Sequence, residues 1–209
     1  MNKMIAIAIW SILIFTVTAV DPPVYNFSYH IAFDETYTVN KSSYEVNGLL
    51  FYDPINNRER VDRTNGRYNK FCGPIIPNTN TPCIQYTVNN KRWIAFPQKS
   101  VCCFCCDSAH GCGILSPDWL RDSEYKGEEK ILDTIYDKWS KDGVVGYNYL
   151  WTAKDNDHTP RRLDENGVHT TDYSIHSFKK MNFEEGVFAL PQYCNTEKLV
   201  NCPLESLCG

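Results

Sequence analysis

The sequence lacks most of what would mark it as an enzyme, a nucleic-acid binder or a membrane-spanning protein. Beyond its N-terminal segment, no run of about 20 apolar residues is available to cross a bilayer as a helix. Positive charge is in deficit: 21 Lys plus Arg stand against 25 Asp plus Glu, for a net charge of −4, or −5 once Lys3 is set aside. That balance excludes an electrostatic grip on phosphate backbones. There is no G-x-S-x-G elbow, phosphate-binding P-loop or dinucleotide fingerprint. The five histidines (His30, His110, His158, His169 and His176) show no metal-ligand spacing such as H-x-x-x-H. Internal repeats, low-complexity tracts and Pro/Ser-rich linkers are also missing, so nothing divides the chain into smaller units. Disorder is excluded by composition, because 43% of residues are hydrophobic and 13% aromatic.

What is present begins with a leader. Lys3, the apolar stretch 4–15 (MIAIAIWSILIF) and the small residue at the end of Val17-Thr18-Ala19 read as a signal peptide over 1–19. The remaining 20–209 fit one domain by size. Ten cysteines on a secreted chain imply disulfides, since the secretory route is oxidising. At near 5% of the mature chain they staple a genuine core and do not replace it. The expected location is extracellular or the lumen of a secretory compartment. The sequons at Asn26 (Asn26-Phe27-Ser28) and Asn40 (Asn40-Lys41-Ser42) are candidate glycosylation sites.

Turn chemistry separating short aromatic and β-branched runs sets the fold class. Residues 44–52 form an apolar run stopped by Asp53-Pro54, and 58–63 read as the return strand. Asn65-Gly66 is a hairpin dipeptide, because both turn positions must tolerate positive φ. Residues 84–88 and 92–96 flank Asn89-Asn90. Residues 144–151 follow Asp142-Gly143, while 160–163 and 168–173 flank Asn166-Gly167. The spacing predicts a mainly β protein: an antiparallel β-sandwich or half-open barrel with one or two short helices, one of them at Ser116-Pro117-Asp118-Trp119-Leu120. Residues 130–139 fit helical spacing, yet Ile131, Ile135 and Trp139 also share one face of a strand, and the turn dipeptide after them favours strand.

Half of the cysteines lie in Cys102-Cys103-Phe104-Cys105-Cys106-Asp107-Ser108-Ala109-His110-Gly111-Cys112. In an extended segment Cys102 and Cys106 face one way and Cys103 and Cys105 the other. Neighbouring cysteines are poorly spaced for bonding each other, so the partners are expected among Cys72, Cys83, Cys194, Cys202 and Cys208, with the pairing open. A zinc reading of Cys103–Cys106 with Cys112 and His110 lacks a second ligand pair. A hydrolase reading, with Cys112 or Cys105 attacking and His110 beside Asp107 as base, lacks any accompanying oxyanion motif. Stapling accounts for the cluster best. Asp155-Asn156-Asp157 opens like a calcium loop, but Pro160 stands where glycine is required and Asn166 where the closing glutamate belongs.

The order of elements resembles the ependymin-related family of secreted glycoproteins. The resemblance rests on the strand pair Leu49-Leu50-Phe51-Tyr52-Asp53 and Arg58-Glu59-Arg60-Val61-Asp62, then Cys72, the Trp139 to Tyr149 hairpin and the closing Phe188-Ala189-Leu190-Pro191-Gln192-Tyr193-Cys194. It covers about 43–208. The block CCFCCDSAHGCGILSPDWL is also similar to uncharacterised Cys-rich secreted proteins of protists and plants, and departs from the spaced single cysteines of the ependymin pattern. The resemblance implies a half-open barrel like that of bacterial lipoprotein carriers, hydrophobic ligands and an association with calcium. From the residues themselves no cofactor is expected, no catalytic group is assigned and the protein is not expected to be an enzyme. The abundance of Tyr, Trp and Phe (13, 5 and 10) suits an aromatic-lined site for a hydrophobic small molecule or lipid. Alternation selects Leu50, Tyr52, Trp93, Phe96, Tyr147, Tyr149 and Trp151 as core or pocket residues. The alternative is an extracellular structural or adhesion protein that meets a glycan or protein at the cell surface; a hydrolase comes third.

Overall fold

The computed structural model describes residues 20–39, 41–143, 146–166, 169–197 and 199–203. The expected signal peptide, Asn40 and Cys208 lie outside the described residues. The first half of the sheet is β1 (Tyr29–Val39), β2 (Ser42–Asp53), β3 (Arg58–Arg63), β4 (Cys83–Val88), β5 (Lys91–Phe96) and β6 (Val101–Asp107). The second half is β7 (Glu124–Ile131), β8 (Thr134–Asp142), β9 (Tyr147–Thr152), β10 (Pro160–Glu165) and β11 (His169–Tyr173), with the two-residue β12 (Lys179–Lys180). All pair antiparallel in one sheet ordered β6-β5-β4-β3-β2-β1-β11-β10-β9-β8-β7, with β12 on β1.

The turn dipeptides explain the ladder. Asn89 and Asn90 have φ of 51° and 60°, the left-handed pair that closes a two-residue hairpin with the strands' own twist. Thr87 therefore sits opposite Arg92 and Gln85 opposite Ile94. Residues 130–139 are neither one strand nor a helix. Leu132, at φ 54°, and Asp133 turn the chain, so Ile131 ends β7 while Ile135 and Trp139 lie on β8. Asn65-Gly66 makes no hairpin. Gly66 opens the long connection to β4, and a Cβ there would come within 2.8 and 2.9 Å of the Cβ atoms of Cys72 and Cys83, so the glycine is needed for close approach to a disulfide. Ser116 to Ser123 form successive turns, from Trp119 N–H to Ser116 O through Ser123 N–H to Leu120 O, where a short helix was expected. The short helices are 3₁₀ turns at Pro97–Lys99, Ser108–His110, Ile175–Ser177 and Glu185–Phe188.

The sheet curls. Trp139 on β8 and Tyr52 on β2 share one buried cluster with Tyr29 and Leu150, yet their strands are five steps apart, roughly 24 Å in a flat sheet. This is the half-open barrel of the two predicted forms. Its inner face carries alternate residues of every long strand, as in Tyr29, Ile31, Phe33, Glu35 and Tyr37 of β1, all buried. The outer face of β3–β5 is covered by the C-terminal segment, with Phe188 and Cys194 packed on Tyr86, Trp93 and Ala95.

The disulfides tie that cover down. Cys102 bonds Cys194 and Cys103 bonds Cys202, so neighbouring cysteines on opposite faces of β6 hold successive points of the C-terminal tail. Two pairs depart from the expectation that the cluster bonds only to cysteines outside it: Cys106 bonds Cys112 six residues on, within the cluster, and Cys72 bonds Cys83; Cys105 is also in a disulfide. The expected alternation breaks at one place. Arg92 pairs with Cys106 but Trp93 with Phe104, so β6 bulges at Cys105. The extra residue turns Cys106 to the side of Cys103 and Cys105, with which it clusters.

Candidate functional site

The inner face encloses a cavity of about 480 Å³. Its walls come from β5 at one end (Arg92) and β10 at the other (Leu163, Glu165), with the loop residues Gly113, Ile114 and Leu115 across the mouth. A smaller pocket of about 50 Å³ continues it through the shared Leu50, Glu59, Leu115, Leu163 and Tyr173 towards Tyr25, Tyr52 and Trp119. Apart from Glu59, that end is aromatic and aliphatic. Two of its hydroxyls are engaged, Tyr52 donating to Leu115 O at 2.8 Å and Tyr25 to His158 O at 2.8 Å.

The other end is charged. Glu35, buried on β1, accepts two bonds from Arg63 of β3, Nε at 2.7 Å and Nη2 at 2.8 Å. It also accepts Tyr37 OH at 2.6 Å, whose oxygen in turn accepts from Asn69. Burial works against the Glu35 charge, but Arg63 and His169 outweigh it and hold the carboxyl well below the usual range. His169 is stacked on Tyr37 at 4.6 Å between Glu35 and Glu165. Burial opposes its charge, yet the carboxylates of Glu165 and Glu35, each 3.6 Å from a ring nitrogen, raise its pKa. Glu165, with His169 at 3.6 Å and accepting from Lys70 at 2.6 Å, is lowered to about 2. Glu59 on β3 differs: burial raises its pKa against the pull of Arg92 and Arg63. It reaches Gln85 only at 3.5 Å.

Gly48 sets the depth of the cavity. A Cβ there would lie 2.1 and 2.5 Å from the Phe33 ring and 2.6 Å from Asp62 O. The Phe33 ring therefore packs directly on the glycine, and Phe33 forms part of the wall.

The seven residues selected by alternation divide between the two faces. Leu50 lines both parts of the cavity and Tyr52 the apolar extension. Phe96 is on the inner side but is buried among the disulfides with Ile94. Trp93 points outward beneath the C-terminal segment. Trp151 and Tyr149 pack outward against Ile131 and Tyr136, and Tyr147 is 54% exposed. Period two sorts residues into faces without saying which face is concave, and 93 and 96 cannot share one. The wall residues Phe33, Glu35, Arg63, Gln85 and Arg92 were not singled out. The hairpin at Asn89-Asn90 holds the signal for two of them, because its register puts Gln85, Thr87 and Arg92 on one face with Ile94.

Several other candidates are accounted for locally. His110 Nδ1 lies 2.6 Å from Asp107 Oδ1, with the imidazole 77% exposed. Cys105 and Cys112 are disulfide-bonded and carry no thiol. Among the described residues, the group of possible metal ligands that converges is Cys105, Cys106 and Cys112, all in disulfides. Asp155 Oδ1 accepts the N–H groups of Asp157 and Thr159, closing its own loop. Asn26 is exposed, as a glycan acceptor requires.

No protein-family model and no curated protein matches the chain. Among solved structures it is similar to an uncharacterized conserved protein from Thermus thermophilus, at 12% identity over 80% of this chain and 87% of that one, with a TM-score of 0.51. Looser likenesses are to a LolA superfamily protein from Nitrosomonas europaea, at 11% identity, 80% and 92% coverage and a TM-score of 0.39, and to a DUF1329 family protein from Desulfovibrio piger, at 11%, 79% and 92% and 0.33. At these identities the likeness is one of fold, and only the first is close enough to bear on it.

Proposed function

We propose that this is a secreted binding protein that takes a hydrophobic or lipid-like small molecule into the hollow of its curved sheet, and that it is not an enzyme. The observation that carries this is the cavity of about 480 Å³, continuous with a pocket whose side chains, Glu59 apart, are aromatic and aliphatic. That volume falls in the usual range of small-molecule sites, roughly 300–1,000 Å³. The resemblance in element order to ependymin-related proteins points the same way, and the disulfides suit an oxidising compartment. Among the described residues no helix is long and apolar enough to cross a membrane. Native mass spectrometry and organic extraction of protein purified from a secreting host should recover an apolar molecule in stoichiometric amount. Protein that carries none, and that binds no fluorescent fatty acid, would refute the proposal.

An adhesion role has one observation in its favour. Tyr147, Tyr149 and Trp151 form an outward row at 6.5 and 6.1 Å spacing, with Lys138 over the last two rings. Glycan-array binding lost in Tyr147→Ala, with cavity binding intact, would support it.

A further inference from the structure

The charged end of the cavity is incompletely bonded. On β3–β5 the ladder sets Glu59, Thr87 and Arg92 in one row and Val61, Gln85 and Ile94 in the next. Four side-chain atoms of this patch are buried without a partner: Arg63 Nη1, Gln85 Oε1, Thr87 Oγ1 and Arg92 Nε. Arg63 is only 7% exposed and Gln85 5%, and both line the cavity with Arg92 and Glu59. Glu35 occupies Nε and Nη2 of Arg63, which leaves the third nitrogen over. Arg92 gives Nη2 to Gly113 O at 3.1 Å, a neutral acceptor. Buried polar atoms are nearly always paired, and two guanidinium groups with spare donors on one wall mark a place where an acceptor on a ligand completes the bonding.

We infer that the ligand is an amphiphile with a single carboxylate head, its oxygens accepting from Arg63 Nη1 and Arg92 Nε while its chain lies along Leu50, Leu163 and Tyr173; this rests on the cavity being a ligand site, as proposed above. Charge decides the class of head. Glu35 balances Arg63, and Lys70 balances Glu165. Arg92 is left facing Glu59, whose carboxyl burial pushes towards the neutral acid. His169 lies between Glu35 and Glu165, so the place left on the wall is at Arg92, which bonds no carboxylate among the described residues and leaves room for one negative charge. A phosphate monoester, carrying nearly two, overfills it, and an alcohol leaves Arg92 uncompensated. The planar fork of a guanidinium also matches the two oxygens of a carboxylate.

The test uses the delipidated protein with its disulfides intact and an uncharged probe, N-phenyl-1-naphthylamine, displaced by hexadecanoic acid, hexadecanol, methyl hexadecanoate or hexadecyl phosphate. The acid should displace the probe at about tenfold lower concentration than the alcohol or ester, the size expected of a charge-assisted hydrogen bond. Arg92→Met should abolish the acid's advantage, so that acid and alcohol displace the probe at the same concentration. Equal displacement by acid and alcohol, tightest binding by the phosphate, or an acid preference that survives Arg92→Met would each overturn the carboxylate head and leave the cavity reading standing. Failure of probe and all four compounds to bind would overturn both. The comparison among compounds on the unmodified protein decides the question even where the variant does not fold.

Discussion

Glu35 and Arg63 are a buried ion pair on β1 and β3 of the same cavity wall, 4% and 7% exposed at the side chain. Removing one partner of such a pair strands the other charge, whereas replacing both with apolar groups of similar size does not. Glu35→Gln should therefore cost about 3–5 kcal/mol in chemical denaturation, and Glu35→Met with Arg63→Met much less than that. Loss of the same stability in both variants would show that packing, not charge, sets the cost. Acid should act on the native protein in the same sense. The pKa values of Glu35 and Glu165 are depressed, so their contribution is complete above the ordinary carboxylate range and is lost as pH falls through the folded values. Glu59 has the opposite sign. Its raised pKa means that stability is complete below the unfolded value and lost as pH rises through the folded one. Glu59→Gln, always neutral, should raise Tm at pH 8 and leave it unchanged at pH 4. A variant that lowers Tm at pH 8 would show that the ionised carboxylate is a favourable partner of Arg92.

At the scale of elements, the parts of the fold legible in the sequence are those dictated by turn chemistry. Arg58–Arg63 was predicted to the residue, and Asn89-Asn90 fixed the β4–β5 register. β1, the strand at the middle of the sheet, was not marked as one, because Glu35 interrupts the apolar face of Tyr29, Ile31, Phe33 and Tyr37 with a charge. That charge is tolerated only because Arg63, 28 residues later, reaches it, and no local pattern records such a partner. The candidate site was half legible for the same reason: Leu50 and Tyr52 are apolar and alternate, whereas the polar wall comes from tertiary pairing. Gly48 on β2 had the same obscurity. Read locally it weakens a strand, but in the sheet it lets the Phe33 ring pack directly on the backbone. Gly48→Ala should cost about 1–3 kcal/mol by overpacking and should weaken ligand binding, because the ring's free side is the cavity. Undiminished probe affinity in a folded Gly48→Ala protein would show that the ring yields elsewhere.

For the molecule as a whole, the cysteines act as nested ties. Cys102–Cys194 and Cys103–Cys202 span 92 and 99 residues, but once either is closed the other adds only a small ring. That ring runs through the Cys102-Cys103 step and the segment from Cys194 to Cys202. In the loop-entropy description a ring of about ten residues is worth about 3 kcal/mol and one of about 95 nearly 5 kcal/mol. Replacing either pair by serine, with the disulfide of Cys105 left in place, should thus cost about 3 kcal/mol and not the nearly 5 kcal/mol of an isolated large loop. The two ties also hold different structures. Cys194 anchors the segment whose Phe188 covers the outer face at Trp93, while Cys202 anchors the tail where Cys202 N–H bonds Phe104 O and Phe104 N–H bonds Val200 O along the open edge of β6. Loss of the first tie should expose apolar surface on the side of the sheet opposite the cavity. Cys102→Ser with Cys194→Ser is therefore expected to become prone to association, with faster hydrogen exchange in β4 and β5, and to keep the probe affinity of the intact protein. Loss of ligand affinity together with the cover would mean that the curvature of the sheet, and hence the cavity, depends on the C-terminal strap.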